Sequence, residues 1–159
     1  KAMAPEEFYR RGEKYLKEYV TKPLDLKKIA EMVRTRVETF LDIREMVDFF
    51  NAVPAYETEL FVNKKSKSTA DSSREILAEV LSRLEALSDW NNDTLFALLK
   101  AYGEEKGYKT GLVMWPLRIA LSGKLMTPAG ATEIMDVLGK EESLTRLREG
   151  QKKLGSGEA

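Results

Sequence analysis

An apolar period near 3.6 residues runs through almost the whole chain and is nowhere replaced by the alternation of a strand. Phe8, Tyr15, Leu16, Tyr19 and Val20 fall on one broad face of a first helix. Pro5 opens that helix where no N–H donor is needed, and Glu6 and Glu7 suit its positive end. Lys22-Pro23 breaks it. Asp25 stands where it can cap a second helix, with the stripe Leu26, Ile29, Ala30, Val33 and Val37. Ile43, Met46, Val47, Phe49 and Phe50 mark a short buried helix over 42–50, ending before Pro54.

The pattern weakens over 56–70, and 63–69 reads as an exposed basic loop. Ser72 and Glu75 have capping-box spacing. They precede the cleanest amphipathic helix, built on Ile76, Leu77, Val80, Leu81, Leu84 and Leu87. Residues 90–108 hold another, with Asn92 or Asp93 as cap and Gly107 as stop. The apolar stretch 110–123 contains Pro116, which predicts a kink or a restart. Thr127-Pro128 reads as a cap followed by a first-turn proline, leading into Ile134, Met135, Val137 and Leu138. Gly139 ends that helix, and a last one over 141–154 buries Leu144 and Leu147. The expected fold is all-α, a compact helical bundle of about seven to nine helices. A soft boundary near Trp90 divides it into two helical subdomains, 1–89 and 90–154. Residues 155–159 are expected to form a disordered tail.

Composition narrows the chemistry. The 159 residues include no His and no Cys. There is then no imidazole base, no Ser-His-Asp triad, no thiolate nucleophile, no disulfide and no His or Cys metal site. Charged residues make up 33% and no run of roughly 18 apolar residues occurs, so no membrane span is expected. Residues 1–20 are charged and helix-like, so no secretory signal is expected. The lack of Cys fits a reducing cytoplasm. Lys and Arg number 26, as do Asp and Glu. Zero net charge argues against a general polyanion binder and leaves a local basic face open.

Several motifs have a bland and a sharp reading. Lys64-Lys65-Ser66-Lys67-Ser68 resembles the Lys-Met-Ser-Lys-Ser loop with which class I aminoacyl-tRNA synthetases hold ATP phosphates. That loop works beside a nucleotide-binding α/β sheet, which this pattern lacks, so a solvated basic loop is the better reading. The carboxylate pairs Glu6/Glu7, Glu104/Glu105 and Glu141/Glu142 read as solvated helix surface, not as catalysts. Phe49, Phe50 and Trp115 read as packing before ligand platforms. Arg118 sits inside the apolar run Trp115–Leu121. It must reach a surface, pair with a carboxylate, or bind an anion or a base edge. Arg34 and Arg36 sit on a similar helix. On residue chemistry alone, structural ion pairing is the simpler account of all three.

The same arginine segments carry a resemblance. Arg36-Val37-Glu38-Thr39-Phe40-Leu41-Asp42-Ile43, running to Asp48-Phe49-Phe50, is similar to the start of the C-terminal half of bacterial glutamyl-tRNA synthetases. Pro116-Leu117-Arg118-Ile119-Ala120-Leu121-Ser122-Gly123 resembles that family's strongest C-terminal signature. Thr127-Pro128-Ala129-Gly130, Glu133-Ile134, Leu138-Gly139-Lys140-Glu141-Glu142 and Arg146-Leu147 follow in the family's order, over about 4–154.

The resemblance implies an all-α anticodon-binding region. It also implies an upstream catalytic domain that uses ATP and magnesium in the full-length enzyme, while this chain alone has no cofactor and no ligase activity. Arg36 matches an arginine associated with the third anticodon base. Arg118 matches a second arginine close to anticodon bases, and Thr127 and Pro128 a loop against the splayed bases. Lys124 and Lys140 are expected as phosphate contacts. The implied partners are glutamate tRNA and the upstream catalytic domain; a cytoplasmic monomer is expected. The rival reading is an all-α protein-interaction domain with no nucleic-acid role.

Overall fold

Proline, glycine and polar caps cut the chain into eight α-helices among the described residues, 3–155 of the computed structural model. These are α1 (Pro5–Tyr19), α2 (Leu26–Val33), α3 (Ile43–Val47), α4 (Ala70–Ala86), α5 (Asn92–Lys106), α6 (Thr110–Ser122), α7 (Ala131–Leu138) and α8 (Lys140–Leu154). Short 3-10 turns occupy Phe40–Asp42, Asp48–Phe50 and Thr58–Phe61. The one β feature among the described residues is an isolated antiparallel bridge between Asn63 and Ser68. The fold is all-α, as the periodicity predicts. Most of the expected tail, 156–159, lies outside the described residues.

The caps explain where the helices start, and several differ from the sequence reading. Asp25 does cap α2: its Oδ1 accepts from the N–H groups of Lys27 and Lys28 at 3.1 and 3.2 Å. That helix ends at Val33, however, so Arg36 lies in the turn 34–36 and Val37 just beyond it. Thr69, not Ser72, caps α4. Ser72 answers it from the third helical position, with Thr69 Oγ1 accepting from Ser72 N–H at 3.0 Å and Ser72 Oγ from Thr69 N–H at 2.9 Å. The buried hydroxyl pair Ser68–Ser73, 3.0 Å apart, also ties down this start. Likewise Asn91, not Asn92 or Asp93, caps α5, in a reciprocal pair with Thr94. Proline 116 does not split its segment: α6 runs through it as one helix.

The largest correction concerns Thr127-Pro128, which does not start a helix. Helix α7 begins four residues after Thr127, at Ala131, and its entry is Gly130, whose N–H donates to Glu133 Oε1 at 3.1 Å. Thr127 is drawn instead into a loop joining α6 to α7.

Helix α4 packs on α5, α6 and α8, while α1 packs on α2 and α3. Leu16, Ile29, Ile43, Phe61, Ile76, Leu84, Leu99, Leu117 and Ile134 are fully buried. Phe49 and Phe50 are core as well, with ring centroids 4.3 Å apart. Burying each large side chain contributes about 1.5–3 kcal/mol. Helices α6 and α8 meet closely: a Cβ on Gly150 would fall 2.6 Å from Ala120 Cβ.

Arg146 of α8 is 3% exposed and fastens this junction. Its Nη1 donates to the carbonyls of Phe49 and Leu121, both at 2.7 Å, and its Nη2 to that of Phe50 at 3.2 Å. Its Nε reaches Glu142 Oε2 at 2.8 Å. One guanidinium thereby joins α8, the end of α6 and the 3-10 turn Asp48–Phe50. The loop after α6 starts from that fixed point.

Candidate nucleic-acid interface

Helix α6 ends at Gly123, whose φ of 67° is a left-handed value that favours glycine. The chain turns there into 124–130. Ser122 Oγ accepts from Lys124 N–H at 3.1 Å, and Lys124 Nζ reaches Glu45 O at 2.6 Å and the Asp48 carboxylate. Lys124 therefore binds this loop to the α3 region. Thr127 Oγ1 donates to Ala129 O at 2.6 Å and tightens the bend. Pro128 is buried beside it.

The turn 34–36 after α2 faces this loop across an open groove of about 1090 Å³. Arg36, Lys124, Thr127 and Pro128 all line it, so four of the six residues singled out in the sequence meet in one place. Leu41 and Met126 line it as well and are 68% and 83% exposed. Arg36 and Pro128 also border a smaller concavity of about 440 Å³ that includes Asn92, Glu133 and Asp136. Arg36 is exposed. Its neighbour Arg34 pairs with Glu31 and donates to Met3 O at 2.7 Å, whereas no ion pair involves Arg36 among the described residues.

Arg118 stands behind the loop. Its Nη1 donates to Thr127 Oγ1 at 2.9 Å, and its guanidinium carbon lies 4.8 Å from the Trp115 ring centroid. Half-buried, it meets no carboxylate among the described residues, and burial lowers its pKa from the usual arginine value. The guanidinium stays charged. This overturns the ion-pair account for Arg118 and leaves a partly desolvated cation with donors to spare.

Lys140 is not brought to the groove. Its Nζ donates to the carbonyls of Glu85 and Leu87 at 2.9 and 2.7 Å, closing the C-terminal end of α4. Among the described residues no three carboxylates converge as a metal site requires. No helix among them is long and apolar enough to cross a membrane.

A groove with planar cationic forks and exposed apolar side chains is suited to splayed bases. Residues 7–151 match a family described as the anticodon binding domain. The chain belongs to that family. This anticodon-binding domain is 46% identical over 156 residues, 98% of its length, to a glutamate–tRNA ligase of Lachnoclostridium phytofermentans, of which it covers 32%. It is 45% identical over 150 residues, 94% of its length, to that of Clostridium acetobutylicum, of which it covers 31%. A crystal structure of a glutamate tRNA ligase from Elizabethkingia meningosepticum, in complex with its amino acid, matches 96% of the domain. The TM-score is 0.79 at 27% identity, over 30% of that chain. The domain thus spans about a third of the length of these relatives.

Sequence reasoning passed over Leu41 and Met126 in the anticodon-binding domain. Their signal was present: Met126 is apolar in a stretch bounded by Gly123 and Gly130, where no helical stripe accounts for it. Leu41 likewise belongs to none of the helical stripes.

Proposed function

We propose that this domain reads the anticodon of a glutamate-accepting tRNA on behalf of a glutamate–tRNA ligase. The observation that carries the reading is the groove in which Arg36 faces Thr127 and Pro128, with Arg118, which meets no carboxylate among the described residues, behind them. Anticodon bases are unstacked, so their edges are open to arginine forks and to stacking. Arg36 is assigned to the third base, where it separates glutamate from glutamine tRNA. Arg118 and the loop 127–128 are assigned to the bases beside it. ATP, magnesium and the activation of glutamate belong, in this reading, to the remainder of a full-length cytoplasmic enzyme. The domain alone has no ligase activity and acts as a monomer.

The test is titration of the chain with a glutamate tRNA transcript and with anticodon variants at several salt concentrations. Binding at or somewhat tighter than ~10⁻⁴–10⁻⁶ M is expected, weakened by changes at the anticodon. Arg36→Gln should relax the preference at the third anticodon position. Binding that ignores both anticodon and salt would turn the assignment toward a protein-interaction domain.

A further inference from the structure

A separate cleft carries charge of one sign. It lies between the turn 63–68 and the start of α6, has a volume of about 640 Å³ and is lined in part by Leu112, Met114 and Trp115. Lys65, Lys67, Lys109 and Arg118 line it, and no carboxylate does. The anticodon groove, by contrast, includes Glu38, Asp42 and Glu45. In a chain of 26 cations and 26 anions, such segregation does not follow from composition. The three lysines are exposed and enter no ion pair among the described residues, so their charge is not offset within the cleft. A cleft lined by one sign of charge focuses its field on ligands of the other.

The turn that presents these lysines is built, not loose. Asn63 and Ser68 exchange both backbone hydrogen bonds at 3.0 Å, and Asn63 Oδ1 accepts from Ser66 N–H at 2.8 Å. This holds Lys67 at a φ of 65°, the one left-handed residue other than glycine among those described. Ser66 Oγ is buried at the cleft without a hydrogen-bond partner. Helix α6 begins here with no side-chain cap and no acid in its first turn.

We propose that this cleft is a second RNA subsite, which holds the phosphodiester strand flanking the anticodon through Lys65, Lys67 and Lys109. Arg118 connects the two sites, because it lines the cleft and donates to Thr127, which lines the groove. A strand leaving the groove past Arg118 therefore meets lysines at once. The identity of the strand rests on the anticodon reading; the anionic character of the ligand does not.

The test compares the chain with the triple variant Lys65→Gln, Lys67→Asn, Lys109→Gln, using an anticodon stem-loop RNA across a salt series. Asparagine keeps the left-handed position. The salt slope should fall by about 0.7 per lysine, which is about tenfold to a hundredfold in affinity at roughly 0.1 M salt. The ratio between cognate and anticodon-variant RNA should not change. An unchanged slope beside an intact ratio overturns the cleft and leaves the anticodon reading standing. A chain that ignores the anticodon overturns that reading, and the cleft then stands or falls on the slope alone. Should the triple variant melt early, Lys109→Gln alone should lower the slope by about 0.7. Because the chain has no Cys, Lys65→Cys can carry a photo-cross-linker at a unique position. With a full-length glutamate tRNA transcript, cross-links to nucleotides flanking the anticodon are expected; cross-links confined to the acceptor stem overturn the proposal.

Discussion

Arg118 donates to Thr127 Oγ1 at 2.9 Å and faces no carboxylate among the described residues. Its charge is therefore paired with no acid there, and the desolvation cost of the guanidinium is set against only the Thr127 hydrogen bond and the Trp115 ring. Arg118→Ala should shift the thermal midpoint by no more than ~2–4 °C, equivalent to about 1 kcal/mol. The same change should weaken tRNA binding by ~1–3 kcal/mol, the scale of one good base contact. Calorimetry and a binding titration on one preparation check both halves. A large loss of stability with unchanged binding would return Arg118 to a structural role.

Arg146 should behave in the opposite way. Removing it strands the carbonyls of Phe49, Phe50 and Leu121 and leaves Glu142 without its nearest cation. Breaking a fully buried pair costs about 3–5 kcal/mol, and with the Glu142 side chain a third exposed the lower end applies. Arg146→Met should lower the melting midpoint by roughly 10 °C or more. Far-ultraviolet circular dichroism during heating measures it.

These two arginines show what was legible and what was not. Helix identity and order were readable because apolar spacing and Pro, Gly and Asp25 act within a few residues. Cap positions slipped by one to three residues because each box had two eligible polar residues, as with Thr69 and Ser72. Thr127 misled because its hydroxyl is recruited by Arg118, nine residues away. Tertiary recruitment also separates residues that look alike. Lys124 is bound by Glu45 and Asp48 and Lys140 by the end of α4, while Lys65, Lys67 and Lys109 enter no ion pair among the described residues. Neither spacing nor composition distinguishes these lysines. Arg36, Thr127 and Pro128, which the resemblance groups together, line one groove, although Arg36 is in a turn and not on the expected helix.

Gly123 couples the fold to the groove. A Cβ there would lie 3.0 Å from Val53 Cγ1 and Tyr56 Cδ1 and 3.1 Å from Pro54 O, on a backbone already left-handed. Gly123→Ala should cost about 2–4 kcal/mol from strain and overpacking together. It should also displace the loop carrying Thr127 and weaken tRNA binding at temperatures where the variant is still folded. Gly107→Ala is the control. It has a φ of 77° with nothing within 4 Å, so it should cost only ~1–2 kcal/mol and leave binding unchanged.

Acid should unfold the domain through carboxylates such as Glu142. Burial raises its pKa, but the hydrogen bond from Arg146 and the charges of Arg146 and Lys22 prevail and hold it below the usual carboxylate value. A lowered folded-state pKa means that the unfolded chain takes up the proton first as pH falls. The stabilisation from Glu142 is therefore complete above its unfolded value of about 4.3 and is lost as pH drops through the folded value. Glu31, Glu79 and Glu105 are lowered by their own partners and act in the same direction. With no histidine in the chain, no ordinary side chain titrates between about pH 6 and 8, so stability should be flat there. Glu142→Gln removes the charge and keeps an acceptor for Arg146. It should be less stable than the parent at neutral pH, and the gap should close as pH approaches about 3. Urea unfolding at a series of pH values measures that gap, and one that stays constant from neutral to acid would remove Glu142 from the account of acid sensitivity.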